Sequence, residues 1–422
     1  MSCKATVSQR GDNFIRGQSL HCHDGAPNAL TKARVTAKVN RRAKESVFRS
    51  AGSIVQEVMQ EECQPGMAGM PNHLLLKRNG NRQRKKDRPT DPTTPEFELD
   101  MNHVPDGFLR SDEVVDGSRH LVFFTDAMAD LLVNAKTWFV DATFKVVANR
   151  GNPFQQLFSV HAFIRKGASC VQVPLAFALM TTRRAVDYQH VLQVIKDRLP
   201  APPDLTTVVL DFEHGMWIGV RRVFGDAVRL QGCHFHWNQC IWRKIQEIGL
   251  SVPYKTDDAT RKFCRKLMAL PFLPAQHIQP VFTRIRDAVT AQDVDQRFTD
   301  LTEYVHLTWI NSNVWPPENW TVFGLAIRTN NDLEGYHRGL NHRANGNGLG
   351  LYKLLYLLEQ EAKHVDLQTA LVTDEQMARY QRTKYQRLQN KIFQHWDDFN
   401  DGRMTTLELL KKVSAFNGPS EE

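Results

Sequence analysis

At 422 residues the chain is long enough for a large core and two or three folding units. Its 41% hydrophobic and 24% charged content excludes a wholly disordered chain, and no apolar stretch approaches the length of a membrane span. The net charge of +8 is unevenly placed: Thr31 to Thr90 hold 14 Lys and Arg against 5 Asp and Glu, leaving the remainder close to neutral.

A basic arm of this kind suits a polyanion such as nucleic acid, or else is a solvated helix and linker. The polar N-terminus does not read as a signal peptide, so a soluble, intracellular protein with no membrane partner is expected. Seven scattered cysteines, an odd number, read as thiols and candidate metal ligands, not a disulfide framework.

Residues 1–29 are short, polar and rich in Gly, His and Cys. From Leu30 to Glu62, Val35, Val39, Ala43, Val47, Ile54, Val58 and Met59 recur at three- and four-residue spacings, which predicts one amphipathic helix with a basic outer face. Gln64 to Pro95 carries repeated Pro, Gly and Asn around the basic run Arg82–Lys86 and reads as a mobile linker. Thr137–Phe144, Phe154–Ile164, Cys170–Met180, Thr206–Asp211 and Ala227–Gly232 then read as strands by their apolar and β-branched content. The first three are joined by short turns. Helical patterns at Val186–Leu199 and His214–Phe224 separate the last two.

Short turns imply an antiparallel meander and helical crossovers imply parallel neighbours. The expected fold class is α/β; the pattern leaves other α/β folds open, and the arrangement expected among them is a ribonuclease-H-like mixed five-stranded sheet with helices. In a sheet of that order the first and fourth strands lie side by side and bring Asp141 and Asp211 to a common edge. From His236 to Leu325 the chain reads as mainly helical, an inserted all-helical region. Helices then resume at Asn331–Leu340, Leu349–Lys363 and Gln376–Ser414. The domain expectation is 1–29, 30–96 for the basic helix and linker, 97–247 for the first part of the core, 248–325 for the insertion, 326–365 for the final core helices, and 366–422 for a helical tail.

Asp141 sits inside an apolar strand after Trp138–Phe139–Val140, and Asp211 ends Val208–Val209–Leu210. A carboxylate in such a setting needs a partner, and an oxygen-ligated divalent cation supplies one. Either residue alone is as readily explained as a helix cap.

Four segments in order, Val140–Asp141–Ala142–Thr143–Phe144–Lys145, Leu210–Asp211–Phe212–Glu213–His214–Gly215–Met216, Cys233–His234–Phe235–His236 and Arg328 to His337, resemble the motifs of Mutator-like DNA transposases over residues 100–360. The resemblance implies that Asp141, Asp211 and Glu334 bind two Mg²⁺ or Mn²⁺ ions. It also implies a helical insertion between the second and third acidic residues. Asn330 and Asn331 would fix the start of the helix bearing Glu334, and His337, one turn on, would contact phosphate or support a carboxylate. Glu213 and Asp332 read as caps or surface charges.

Cys233 and His236 match the family's Cys-x-x-His signature, read primarily as a buried thiol and a hydrogen-bonded histidine packing the turn beside the site. Cys3, His21 and His23 resemble the end of a FLYWCH-type zinc finger whose first cysteine would lie upstream, with Cys22 an imperfect substitute; zinc there would be an incomplete site. The implied partners are DNA, as element terminal repeats and target, and further copies of the chain on that DNA, in the nucleus. The rival reading is a transposase-derived DNA-binding regulator without catalysis.

Overall fold

In a computed structural model the described residues run from 3 to 418, apart from 11–12, 24–27, 65, 68, 149–150, 168, 292–294, 327–330, 345–347 and 376–382. They form two compact units, 1–90 and 91–422.

The first unit opens with a hairpin, β1 (Val7–Arg10) and β2 (Asn13–Arg16), paired antiparallel, and continues with α1 (Ala29–Glu45), α2 (Ala51–Glu62) and α3 (His73–Asp87). The single helix expected over Leu30–Glu62 is two, because Ser50 stops the chain and caps α2 by accepting from the Ser53 N–H. The expected mobile linker contains a 15-residue helix, α3. Asn72 caps it by accepting from the N–H groups of Leu74 and Leu75, and Gly80 faces Val39 and Ala43 of α1. Leu76 joins Val35, Val39, Ile54, Val55 and Val58 in a small core. Punctuation by Asn, Gly and Pro misdirects the sequence reading here. The Leu, Lys, Arg and Gln between them are good helix formers.

The second unit holds β3 (Leu109–Val115), β4 (Ser118–Phe123), α4 (Asp126–Val133), β5 (Thr137–Thr143), β6 (Gln156–Lys166), β7 (Ser169–Met180), α5 (Ala185–Asp197), β8 (Thr207–Leu210), α6 (His214–Phe224) and β9 (Arg229–Gly232). The strands form one sheet in the order β3-β4-β7-β6-β5-β8-β9, so the sheet has seven strands and not five. All five expected strands are present. β5, β6 and β7 pair antiparallel, and β5, β8 and β9 pair parallel. This mixed α/β architecture is coarsely compatible with a ribonuclease-H-like fold. The additional β3–β4 hairpin extends its antiparallel edge.

α5 and α6 pack together on the sheet face bearing Trp138 and Phe158, and Gly219 permits the approach, since a Cβ there would lie 2.7 Å from that of Tyr188. The opposite face carries Phe139, Asp141 and Val209.

A separate all-helical stretch follows: α7 (His234–Glu247), α8 (Ser251–Thr256), α9 (Asp258–Met268), α10 (Ala275–Thr290) and α11 (Gln296–Val305). After it come α12 (Asn331–Arg343), α13 (Leu351–Thr373), α14 (Thr383–Asn400) and α15 (Thr406–Ser414). α13 lies against β6 and β7, unbroken at residue 365. The helical stretch has its own core around Trp237, Trp309 and Trp320, with Trp237 and Trp320 stacked at 4.3 Å between centroids. Ile392 and Trp396 of α14 and Leu409, Leu410 and Val413 of α15 enter this core, so the tail belongs to it. No described helix is long and apolar enough to cross a membrane.

Candidate metal centre

The parallel pairing of β5 with β8 matches Phe139 to Val209, and continuing that register two residues sets Asp141 level with Asp211 just beyond β8. Strand alternation puts Phe139 and Asp141 on one face, with Trp138 and Val140 buried on the other. Beyond β9 the Cys233 N–H donates to the Leu210 carbonyl at 3.0 Å, extending the ladder by one bond and swinging the first turn of α7 over the strand ends. His236 lies in that turn.

Ligand atoms of Asp141, Asp211 and His236 all lie within 4.8 Å of one another. The Ala142 N–H donates to Asp141 Oδ1 at 2.8 Å, and the Phe212 N–H donates to Asp211 Oδ1 at 2.5 Å. Trp217 Nε1–H donates to the Asp211 carbonyl at 2.6 Å and pins that peptide. Burial raises the Asp211 carboxyl above its ordinary range. His236 pulls it down and the Asp141 charge pushes it up again.

His236 Nε2 lies 3.0 Å from Glu334 Oε1 on α12. Its Nδ1 is 3.7 Å from Asp211 Oδ1, buried, and without a hydrogen-bond partner. Burial opposes a charged ring, yet Cys233, Glu334 and Asp211 together push its pKa up to about 12, so the imidazolium is the counter-charge of the acidic pair.

These residues fit a divalent cation. Two carboxylates and one nitrogen with no other partner converge, and a carboxylate grips the far nitrogen of the imidazole, as metal-binding histidines require. A cation there would displace the Nδ1 proton and take over its charge.

Each residue predicted from the sequence is placed as follows. Asp141 and Asp211 come together as expected. Glu334 adjoins them through His236 but lies outside the mutually close set. His236, read from the sequence as a packing residue, belongs to the centre, while Cys233 is buried behind it with Phe139, Val209 and Leu333. His337 is buried, its Nδ1 3.5 Å from Asp141 Oδ2, which supports the carboxylate and is no surface position. The capping roles expected of Asn330 and the Asn331 side chain lie outside the described residues.

Glu213 stands at the start of α6, but its side chain makes no capping bond. It accepts from the Tyr188 hydroxyl at 3.0 Å, and burial first, then the charges of Asp211 and Asp141, raise its carboxyl against the pull of Tyr188 and Arg183. Its position two residues after Asp211 was the available signal.

In the first unit, Cys3, His21 and His23 flank the β1–β2 hairpin with ligand atoms within 4.8 Å of one another, at the surface. His21 Nδ1 lies 3.4 Å from both Cys3 Sγ and His23 Nε2. Backbone N–H groups of Ala5 and Cys22 hold the Cys3 thiol down to about 6, favouring the thiolate a metal needs. The hairpin is what the sequence reading lacked to explain how ligands so far apart could meet.

No protein-family model matches the chain, and no curated protein matches it.

Proposed function

We propose that this chain is a metal-dependent DNA transposase of the Mutator-like class, cutting phosphodiester bonds at element ends and joining the freed 3′-hydroxyl to target DNA. The observation that carries the proposal is the convergence of Asp141, Asp211 and His236 at the ends of two parallel strands, with Glu334 behind the histidine. A bound divalent cation supplies Lewis-acid stabilisation of phosphoryl oxygens and a nucleophile at neutral pH. The chain's own residues do the holding. Backbone N–H groups fix one oxygen of each aspartate, His337 restrains the second oxygen of Asp141, and Glu334 sets the imidazole plane.

Two ions, Mg²⁺ or Mn²⁺, are the proposed complement. The donor set of two carboxylates and an imidazole favours Mn²⁺ over Mg²⁺. DNA is the proposed partner, engaged by homo-oligomers in the nucleus. The basic first unit supports phosphate contacts that weaken as salt rises.

The test is nicking of an end-labelled duplex carrying the element's terminal repeats. Wild type should cut with Mg²⁺ or Mn²⁺, and Asp141→Ala, Asp211→Ala, His236→Ala and Glu334→Ala should each lose cutting by orders of magnitude while keeping salt-dependent binding. Cutting that persists in EDTA, or in all four variants, overturns the reading. Binding without any cutting by wild type points to a non-catalytic DNA-binding regulator.

A further inference from the structure

Past Gln156, the buried run of β6 carries two polar side chains, Ser159 and His161, and both stand on the Asp141 face of the sheet. Ser159 Oγ lies 3.0 Å from His161 Nε2 and 3.3 Å from His337 Nε2, and His337 Nδ1 lies 3.5 Å from Asp141 Oδ2. Ser159 is fully enclosed and His161 is 1% exposed. The Tyr336 ring closes the other side of His161, edge-on at 4.8 Å between centroids.

We infer that Ser159 and His161 are positioning residues of the metal centre, a hydrogen-bond relay that fixes His337 and, through it, the second oxygen of Asp141. The inference rests on the metal-dependent reading above and deepens it. It assigns to the core of the sheet the task of aiming a ligand.

A serine hydroxyl has one proton to donate and two lone pairs to accept with, so Ser159 can satisfy both Nε2 atoms at once. Enclosure, then the neighbouring His337, hold His161 well below its ordinary pKa, so its ring is neutral with one N–H. A lone pair on His337 Nδ1 would face a carboxylate, so Nδ1 carries the proton. Ser159 Oγ holds the opposite edge of the His337 ring at Nε2 and is itself tied to His161 Nε2, so the relay fixes the ring that meets Asp141 Oδ2. With Oδ1 held by the Ala142 N–H, both oxygens of Asp141 are aimed before a cation arrives. Asp141, His337 and Ser159 share the order of a hydrolase triad, but Ser159 is sealed from any substrate.

The experiment is Mn²⁺ titration of the full chain by electron paramagnetic resonance, alongside ¹⁵N NMR of the histidine rings without metal. Ser159→Ala should bind Mn²⁺ about 10–100-fold more weakly, the usual loss when an outer partner of a ligand is removed. Ser159→Thr, which keeps the hydroxyl, should restore most of it. Val160→Ala, a buried change on the opposite face of the same strand, should lower stability and leave Mn²⁺ affinity alone. Wild-type spectra should show His337 protonated on Nδ1, the nitrogen that faces Asp141, and Ser159→Ala should lose that fixed orientation.

Wild-type affinity in Ser159→Ala, or equal weakening in Val160→Ala, overturns the relay while leaving the metal centre standing. A wild type that binds no Mn²⁺ refutes the metal centre. In that event the NMR pattern still decides the relay, because a His337 ring with no proton on Nδ1 contradicts it.

Discussion

Gly232, the last residue of β9, sits where any side chain would collide with the residue that anchors Asp211. A Cβ built there lies 2.4 Å from Cζ and 2.5 Å from Cε1 of Phe212, so the ring must retreat by about 1 Å to regain ordinary van der Waals contact at 3.4 Å. The ring is partly buried and flanked by tryptophans. It meets Trp309 edge-on at 4.6 Å and Trp315 at 5.9 Å, and lies parallel to Trp217 at 6.1 Å between centroids. Gly232→Ala should therefore cost about 1–3 kcal/mol, the range for overpacking a filled core. Because the Phe212 N–H holds Asp211 Oδ1, displacement of Phe212 should also weaken Mn²⁺ binding. The chain's eight tryptophans all lie beyond residue 91, so their fluorescence during urea unfolding reports on the second unit alone. The double variant Gly232→Ala/Phe212→Leu removes the colliding ring atoms and should recover stability relative to the sum of the single changes. Unchanged urea stability and Mn²⁺ affinity in Gly232→Ala, or strictly additive losses in the double variant, would refute the reasoning.

Two further outcomes are expected. Asp187 is fully enclosed and accepts from the Arg184 backbone N–H at 2.7 Å, Arg184 Nη2 at 2.8 Å and the Thr182 hydroxyl at 2.6 Å; burial opposes its charge, but these donors hold its pKa down to about 2. A depressed carboxylate stabilises the fold above its unfolded pKa and ceases to do so as pH falls through about 4 to about 2. Asp187→Ala should thus cost about 3 kcal/mol at pH 7, with the gap to wild type closing toward pH 2 in urea titrations; a gap independent of pH contradicts this. At the surface cluster, zinc should bind weakly, leave with a mild chelator, and vanish in Cys3→Ala and His21→Ala without changing second-unit fluorescence; tight zinc that survives either change refutes that site.

What the sequence made legible was whatever local pattern encodes. The five apolar strands and their crossovers predict that β5 and β8 adjoin, and the pairing of Asp141 with Asp211 follows from register. The β3–β4 hairpin was hidden because β4 is buried along its whole length while reading Ser-Arg-His. Several of its polar atoms find partners on other elements: Arg119 the Asp112 carboxylate and the Pro95 and Phe97 carbonyls, His120 Nε2 the Asp187 carboxylate at 3.3 Å. No periodicity rule registers partners that far apart. His236 was undervalued for a related reason. Whether a histidine in the first turn of a helix faces solvent, core or an acidic pair depends on where β9 delivers that helix. The return of α14 and α15 to the helical core likewise depends on contacts such as Trp396 Nε1–H to the Phe272 carbonyl, 124 residues away.

The chain order of the centre has a consequence for how the protein is made. Antiparallel β5, β6 and β7 need only short turns and can pair as soon as they emerge from the ribosome, whereas β8 and β9 wait for the α5 and α6 crossovers. Once β9 docks, Asp141, Asp211 and His236 are all present, yet Glu334 is still some 98 residues from being synthesised, roughly 5–20 s at ordinary elongation rates. During that interval nothing grips the far nitrogen of His236, and the imidazolium alone balances the two carboxylates. Maturation of the centre is therefore expected to wait for α12. Ribosome-bound chains that end before α12 should retain Mn²⁺ poorly, and those that extend through α13 should hold it as the finished protein does.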